Sequence, residues 1–338
     1  MPRLTIAIPT VNRADLLDRA IKSALAQTSP DIEIIVSDNG STDETPAVIE
    51  RYVKQGLPNL RTLRHSATMP VARHSELILE QVRGELLLAL SDDDFLEPEF
   101  AAEVLAAFDR HPESSFVYTG CAVHYENVQV PVPVGPPLES GADFLANHFA
   151  GKRQVQWCAC VTRVRDLREI GPLPDDRILG DMYYWTRLAF KGPVGCVPRV
   201  LSHYIIFRPN SDNMSHGTPS IVWVREARLL ADEVIQASCQ AGASPAYLSN
   251  LKKDCTRHVA LSAAHQIVWT RLRGVSWLDA LKSCMECRSY LSWDFTAMSR
   301  LFAGLMLPRR VLRKVLLRAA ARQADARRDK WRDSAGQP

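Results

Sequence analysis

Three consecutive carboxylates, Asp92-Asp93-Asp94, stand behind Ser91 and the apolar run Gly84-Glu85-Leu86-Leu87-Leu88-Ala89-Leu90. An apolar run that ends in acid groups reads as a buried strand delivering carboxylates at its C-terminal tip. Adjacent carboxylates repel one another, so the arrangement makes sense when a hard divalent cation or several hydrogen-bond donors sit among them. An oxygen-only site suits Mg²⁺ or Mn²⁺, and such ions commonly share their coordination with substrate phosphates. The alternative is a solvated acidic turn. Two further polar clusters, Pro9-Thr10 and Asp38-Asn39-Gly40-Ser41, also follow apolar runs, Leu4–Ile8 and Ile32–Val36.

The elements that must position these groups alternate in kind. Leu4 to Ile8 reads as a strand stopped by Pro9, and Ala14 to Gln27 has helical spacing at Leu16, Leu17, Ala20, Ile21, Ala24 and Leu25. A strand at Ile32–Val36, a helix at Pro46–Gln55, a short strand at Leu60–Leu63, a helix at Val71–Val82 and the strand Glu85–Leu90 follow. Farther on, the pattern predicts a helix at Pro98–Phe108 and a strand at Phe116–Tyr118. A loop or hairpin follows over 127–141, then strands at Gln154–Val161 and Val194–Tyr204 flanking a helix at Leu179–Phe190. Such alternation predicts an α/β fold, a mostly parallel sheet with helices on both faces. In these sheets ligands bind beyond the carboxyl ends of the strands, where all three polar clusters fall. After about residue 218 the pattern is helical. The expected division is therefore 1–217, an α/β catalytic domain, and 218–338, an α-helical C-terminal region.

Composition agrees with a globular protein that buries a sizeable core: 46% apolar and 23% charged residues in 338. The net charge of +3 is unevenly spread. Residues 308–338 hold ten Lys/Arg against three Asp, about +7, leaving the remainder about −4. The N-terminus lacks the pattern of a signal peptide, and no stretch approaches the ~20 apolar residues of a membrane span. The expectation is a cytoplasmic protein with its eight cysteines reduced. Cys284-Met285-Glu286-Cys287 is a lone pair in a helical stretch, and Cys158 and Cys160 alternate as core strand residues do.

Taken in order, Ile8-Pro9-Thr10-Val11-Asn12-Arg13, Val36-Ser37-Asp38-Asn39-Gly40-Ser41-Thr42-Asp43, Ala72-Arg73, Ser91-Asp92-Asp93-Asp94 and Gly180-Asp181-Met182-Tyr183-Tyr184-Trp185-Thr186-Arg187-Leu188 resemble the motifs of the family-2 glycosyltransferases. They cover roughly residues 3–215. The resemblance implies the GT-A fold, a Rossmann-like α/β architecture, and an inverting transfer of sugar from a nucleoside-diphosphate sugar, UDP or dTDP foremost. It implies that Asp38 accepts a hydrogen bond from uracil or thymine N3–H, and that Pro9, Thr10, Arg13 and Gly40 lie against the nucleotide. It further implies that Arg73 serves the diphosphate or holds the acidic cluster. Asp92, Asp93 and Asp94 form the DXD motif with Mg²⁺ or Mn²⁺. If Asp93 is the principal ligand, Asp92 or Asp94 stands beside it; if Asp92-x-Asp94 is the working pair, Asp94 binds the metal and Asp92 reaches the ribose. The cation offsets charge on the leaving diphosphate. Asp181 aligns with the general base, which takes the proton of the attacking hydroxyl.

Each residue has a plainer reading: Asp38 as a turn cap, Ser41 and Asp43 as helix caps, Arg13 and Arg73 as solvated helix residues, Asp181 as the N-cap of a helix from Met182. Asp175 and Asp176 are rivals to Asp181. The chain also departs from the family pattern. Ser91 replaces the usual first Asp, Gly180 the Glu before the base, and Phe207 a metal-binding His, for which His203 or His216 are substitutes, with Arg208 as another source of positive charge.

In the basic tail, Val311, Leu312, Val315, Leu316, Ala319 and Ala320 recur on one helical face. That face suits either the inner surface of an anionic membrane, with a lipid-linked acceptor, or packing on the domain or on a second subunit as a homodimer. Acceptors of the glycan, lipid-linked or small-molecule kind, in cell-surface polysaccharide or glycoconjugate synthesis, are the expected partners. Nucleic acid is not one, because the positive charge is terminal and lacks a binding fold. Two rivals remain: an inactive sugar-nucleotide-binding scaffold of the same fold, and a nucleotidyltransferase, whose Gly-rich phosphate loop Pro9–Arg13 does not provide.

Overall fold

The computed structural model describes residues 2–174, 177–206, 218–272, 274–291 and 294–335, with side chains of the last helix described to Arg327. Apolar residues on both faces of Leu4–Thr10 (β1) make it the centre of the sheet: Leu4, Ile6 and Ile8 enter one core and Ala7 the other. Ala14–Leu25 (α1) buries Leu16, Leu17, Ala20, Ile21 and Ala24, the stripe its spacing predicts. Ile32–Asp38 (β2), Thr45–Val53 (α2), Leu60–Arg64 (β3), Val71–Gln81 (α3) and Leu86–Ala89 (β4) complete a parallel half-sheet in the order β3-β2-β1-β4. In register, Thr10 lies beside Asp38 and Asp38 beside Arg64. The carboxyl ends of three strands therefore form one edge.

The second half of the sheet departs from simple alternation. After Phe95–Leu96 (β5) and Phe100–Arg110 (α4), Phe116–Tyr125 (β6) turns back as a hairpin into Val128–Pro131 (β7), and Leu138–Glu139 (β8) leads into Gly141–Phe149 (α5). Cys160–Arg163 (β9), Val164–Ile170 (α6), Gly180–Ala189 (α7) and Val194–Ile205 (β10) follow. β9 is inserted antiparallel between β4 and β6, and β5 runs antiparallel to β10 at the far edge. The expected strand at 154–161 is thus later and shorter, because Trp157–Ala159 forms a 3₁₀ turn ahead of it. Neither β5 nor α5 is evident in the sequence pattern. Gly141 begins α5 where a Cβ would lie 1.6 Å from the Ala189 carbonyl oxygen at the end of α7, so the two helices meet backbone to backbone.

The C-terminal region is helical, as its periodicity predicts: Ser220–Gln240 (α8), Pro245–Leu272 (α9), Trp277–Glu286 (α10), Phe295–Met306 (α11) and Arg309–Ala335 (α12). α8 and α9 share the core formed by α5 and α7. A largely buried guanidinium fixes α8 to the α7 region. Arg177 bonds Glu226 at 2.6 Å and Glu233 at 2.8 Å, and Arg187 bonds Glu233 at 3.1 Å. Both arginines stack on Tyr183. All eight cysteines are free thiols. Among the described residues, no helix is long and apolar enough to cross a membrane.

Two histidines meet where α5 packs on α9. The rings of His148 and His258 lie 5.8 Å apart beside Phe149, and His148 Nδ1 is buried without a hydrogen-bond partner. Burial, then the neighbouring ring, pulls His148 from 6.5 down to about 3, and burial pulls His258 down to about 4. Above pH 6.5 both are neutral whether the chain is folded or not. Below it the unfolded chain takes up protons that the folded chain refuses, so stability falls as the pH drops toward these values. The expected outcome is a urea midpoint that declines between about pH 6.5 and 4, with a shallower decline in His258→Met. His74 and His124, both held down to about 4, keep part of the slope. An unchanged slope in the variant would show that this pair does not govern acid sensitivity.

Candidate active site

The loops after β1 and β2 are laced together by their own polar groups. Asn12 donates its N–H to Ser41 Oγ at 2.9 Å and accepts the Thr42 N–H on Oδ1 at 2.8 Å. Asp43 accepts the Thr45 N–H at 2.9 Å, so it serves the start of α2, as the capping reading of that residue expects. Gly40 adopts φ +75°, and a Cβ there would fall 2.5 Å from the backbone of Ala67. Its small size lets the 65–70 loop approach and leaves no open ligand-facing gap at that position. Asn39 fastens the same loop by a reciprocal pair of bonds to the Met69 backbone.

Within this frame Asp38 is fully buried. Its Oδ1 accepts the Ser41 N–H at 2.8 Å, while Oδ2 accepts no hydrogen bond and has Arg64 Nε 3.5 Å away. Beneath it, buried His74 pairs with Ser37 Oγ at 2.7 Å. Thr10 Oγ1, one strand over, is likewise buried and without a partner. Pro9, half-buried, precedes it on β1. An acceptor and a hydroxyl buried at adjacent strand ends form a polar recess able to receive a donor such as an imide N–H.

The acidic triplet begins three residues past β4 and is held from two sides. Ahead of α1, Arg13 Nη1 lies 3.5 Å from Asp93 Oδ2, and from α1 Arg19 Nη2 donates to the Asp93 carbonyl at 2.5 Å while its guanidinium covers the Phe95 ring. From β10, the Ile205 N–H donates to Asp94 Oδ1 at 3.0 Å. Asp92 is buried and Asp93 half-buried. Asp94 is wholly buried, and its Oδ2 has no hydrogen-bond partner. Burial, then the neighbouring Asp93, pushes the Asp94 carboxyl well above its ordinary range.

Asp181 lies in the first turn of α7, which starts at Gly180, two residues ahead of Met182, so it is not the N-cap; that position is Leu179. Its Oδ1 accepts the Met182 N–H at 2.7 Å, and burial raises its pKa against the pull of that bond. A Cβ on Gly180 would lie 3.0 Å from Leu173, so the glycine accommodates that side chain. Tyr204 of β10 brings the two acidic groups together: burial, then Asp94, Asp181 and Asp93, raise the pKa of its phenol.

Two residues with expected roles point elsewhere. Arg73 is exposed and bonds Glu76 on its own helix at 2.7 Å, so it reaches neither Asp38 nor the triplet. His203, one of the substitutes for a metal-binding His, engages both ring nitrogens, with Glu97 Oε1 at 2.7 Å and His124 Nε2 at 2.9 Å, and stacks on Phe95. His216, Phe207, Arg208, Asp175 and Asp176 lie outside the described residues. The sequence reading did not single out Arg19, Arg64 or Tyr204. Arg64 had one signal, its place at the carboxyl end of a strand; Arg19 had none, because it lies on the polar face of α1.

Among the described residues no three His, Cys, Asp or Glu side chains converge as a metal cluster. Mg²⁺ and Mn²⁺ bound with a diphosphate need only one or two carboxylates. A buried Asp94 oxygen with no donor, beside a second carboxylate on Asp93, fits that need. Burying Asp94 without that partner destabilises the free protein. Asp94→Asn keeps an acceptor for the Ile205 N–H and removes the charge. Its thermal midpoint at neutral pH is expected to exceed that of the wild type, by about 2–4 °C for each kcal/mol relieved. A midpoint at or below the wild-type value would overturn this account of Asp94.

Residues 5–151 match the model of glycosyl transferase family 2. Over 159 residues, 45% of the chain, it is 31% identical to the GalNAc(5)-diNAcBac-PP-undecaprenol beta-1,3-glucosyltransferase of Campylobacter jejuni, and this match spans 50% of that enzyme. A 119-residue stretch, 35% of the chain, is 31% identical to 12% of the hyaluronan synthase of Pasteurella multocida. The chain therefore spans half or less of these two relatives. Among solved structures, residues 1–349 of S. aureus TarS in complex with UDP-GlcNAc superpose with a TM-score of 0.61 at 15% identity, covering 94% of this chain and 92% of that one. The mannosyltransferase PcManGT of Pyrobaculum calidifontis, in complex with GDP-Man and Mn²⁺, superposes at 0.54 with 18% identity over 93% and 86%. These likenesses identify the fold as GT-A.

Proposed function

Because residues 5–151 match the model of glycosyl transferase family 2, we propose that the chain is a member of it, an inverting enzyme that moves a sugar from a nucleoside-diphosphate donor to an acceptor hydroxyl. The observation that supports this reading is the bond from the Ile205 N–H to Asp94 Oδ1, which sets the neighbouring Tyr204 near the triplet, and Asp94, Asp181 and Asp93 all act on its phenol. The acidic triplet and the half-buried Asp181 thus both lie within electrostatic reach of one side chain. A single-displacement transfer needs a group for the leaving diphosphate and a base for the incoming hydroxyl.

Asp38 accepts the base of the nucleotide through its buried Oδ2, beside Thr10. That acceptor favours uracil or thymine, which offer an N3–H, over bases that lack one there. Asp93 and Asp94 would hold Mg²⁺ or Mn²⁺, with Asp92 beside them, and the ion would neutralise charge on the departing diphosphate. Arg13 and Arg19 keep the triplet in place by binding Asp93. Asp181 takes the acceptor proton. Burial has moved its pKa in the direction that strengthens a base, while the Met182 N–H orients one oxygen and leaves the other for the hydroxyl. The Campylobacter relative is named for a polyprenyl-diphosphate-linked glycan acceptor, and an acceptor of that kind, in surface glycoconjugate synthesis at the inner face of the membrane, suits this chain. Residues 1–217 would carry the reaction and 218–338 the contacts around it.

Asp181→Asn tests the assignment. Donor binding, followed by calorimetry, should be retained while turnover drops by about 10²–10⁴. In the wild type, activity should fall with pH along a limb displaced above the ordinary carboxyl range, and the variant should lack that limb. Near-normal turnover in Asp181→Asn would sink the base. UDP or dTDP should raise the thermal midpoint in Mn²⁺ more than GDP or ADP, and Asp38→Asn should erase the difference; equal shifts for all four would remove Asp38 from base recognition.

A further inference from the structure

The large apolar side chains that remain exposed are concentrated in one stretch. Of thirteen among the described residues, nine lie between 277 and 316. On α11, Phe295, Phe302 and Met306 are 87%, 66% and 59% exposed. Their spacing of seven and four residues places them within about 20° of one line along the helix. The opposite side of α11 is satisfied, with Ala297, Leu301 and Gly304 packed on α9. α10 repeats the pattern with Leu278 and Met285, seven residues apart and both exposed. The exposed apolar stripe is therefore an addition to a helix already docked. It differs from the reading of α12 alone: there Leu312 and Ala324 turn inward while Val311, Val315 and Leu316 stay out.

Charge adjoins the stripe. Met306 is followed within three residues by Arg309, and from 309 to 324 there are six basic residues and no acidic one. Arg310, Lys314, Arg318 and Arg322 stand exposed. Arg313 instead bonds Glu126 at 2.7 Å, at the turn of the β6–β7 hairpin. That hairpin rises from the edge that holds the triplet, since His124 lies in register with Ile205, whose N–H binds Asp94. The basic helix thus starts beside the mouth of the site.

We propose that the outward stripe of α11, with the exposed basic residues of α12, docks on the surface of an anionic lipid bilayer. Phenylalanine and methionine enter the acyl boundary while arginine and lysine meet the headgroup phosphates. A second copy is the poorer occupant. A two-fold contact sets the same patch against itself, and this patch would place two acid-free basic stretches together. The inference rests on the proposed reaction only in giving the contact a purpose, presentation of a lipid-linked acceptor; its test needs neither donor nor acceptor.

The full chain is sedimented with vesicles of phosphatidylcholine alone and with vesicles that also contain phosphatidylglycerol. Binding is expected to the anionic vesicles only, and raised salt should release it. The triple variant Phe295→Ser, Phe302→Ser, Met306→Ser should bind at least roughly tenfold more weakly. Arg310→Gln, Lys314→Gln and Arg318→Gln should each weaken binding about fivefold. Because these side chains are exposed, thermal midpoints should match the wild type, which separates lost docking from lost folding. The inference is overturned if the wild type binds neither vesicle, if the triple variant binds like the wild type, or if light scattering shows a dimer that the triple variant dissolves. Transfer to a soluble acceptor by a protein that ignores vesicles would overturn the inference and leave the reaction standing.

Discussion

A carboxyl group shut away from water joins the two halves of this sheet. Asp94 follows β4, and the N–H that binds its Oδ1 belongs to Ile205, at the end of β10 and on the other side of β9 and β6. That bond brings the end of the parallel half-sheet against the end of the longest strand. Beside it Phe95 stacks on His203 and Glu97 bonds that ring's Nε2. An ionised side chain so placed is unfavourable by itself. It is retained where the surrounding structure over-determines it, and here one oxygen lies buried without a hydrogen bond.

The same economy governs the guanidinium groups. Arg19 comes from a helix whose apolar stripe is fixed in the core, and Arg13 from the N-cap of that helix, so Asp93 is positioned from a rigid element. Asp181 is held more indirectly. Its helix is bound to α8 through Arg177, Arg187, Glu226 and Glu233, and it abuts α5 at Gly141 with no side chain between. The helical C-terminal region thereby shares in setting where that carboxylate lies. A buried ion network of this kind contributes more to geometry than to stability, because desolvation offsets most of its attraction.

Much of this was legible in the residues. Apolar runs capped by polar clusters identified β1, β2 and β4 and placed Thr10, Asp38 and the triplet on one edge, because strand direction and side-chain burial are local properties there. What escaped was set by long-range pairing. β9 is antiparallel because of where it inserts, and two-residue β5 exists only through β10. α5 gives a weak signal beside the Pro- and Gly-rich stretch that precedes it. Arg73 shows the converse: its type and place suited phosphate, but the half-buried Glu76 one turn along the helix engages it. In α12 the periodicity revealed a face, yet only packing shows that Leu312 is covered while Val311, Val315 and Leu316 stay exposed.

β9 carries one more implication, for the order in which the molecule is assembled. The strand that lies between β4 and β6 is encoded after both, and the strand that supplies Ile205 comes later still. As the chain emerges during synthesis, β1 to β4 can pair at once with local partners, whereas β6 has no route to them until residue 163 has been made. The acid groups are therefore carried on an early folding unit and remain open to water until β10 arrives. A ribosome-bound or truncated chain ending before Ile205 therefore holds every residue of the triplet and the arginines on Asp93, but lacks the N–H that binds Asp94.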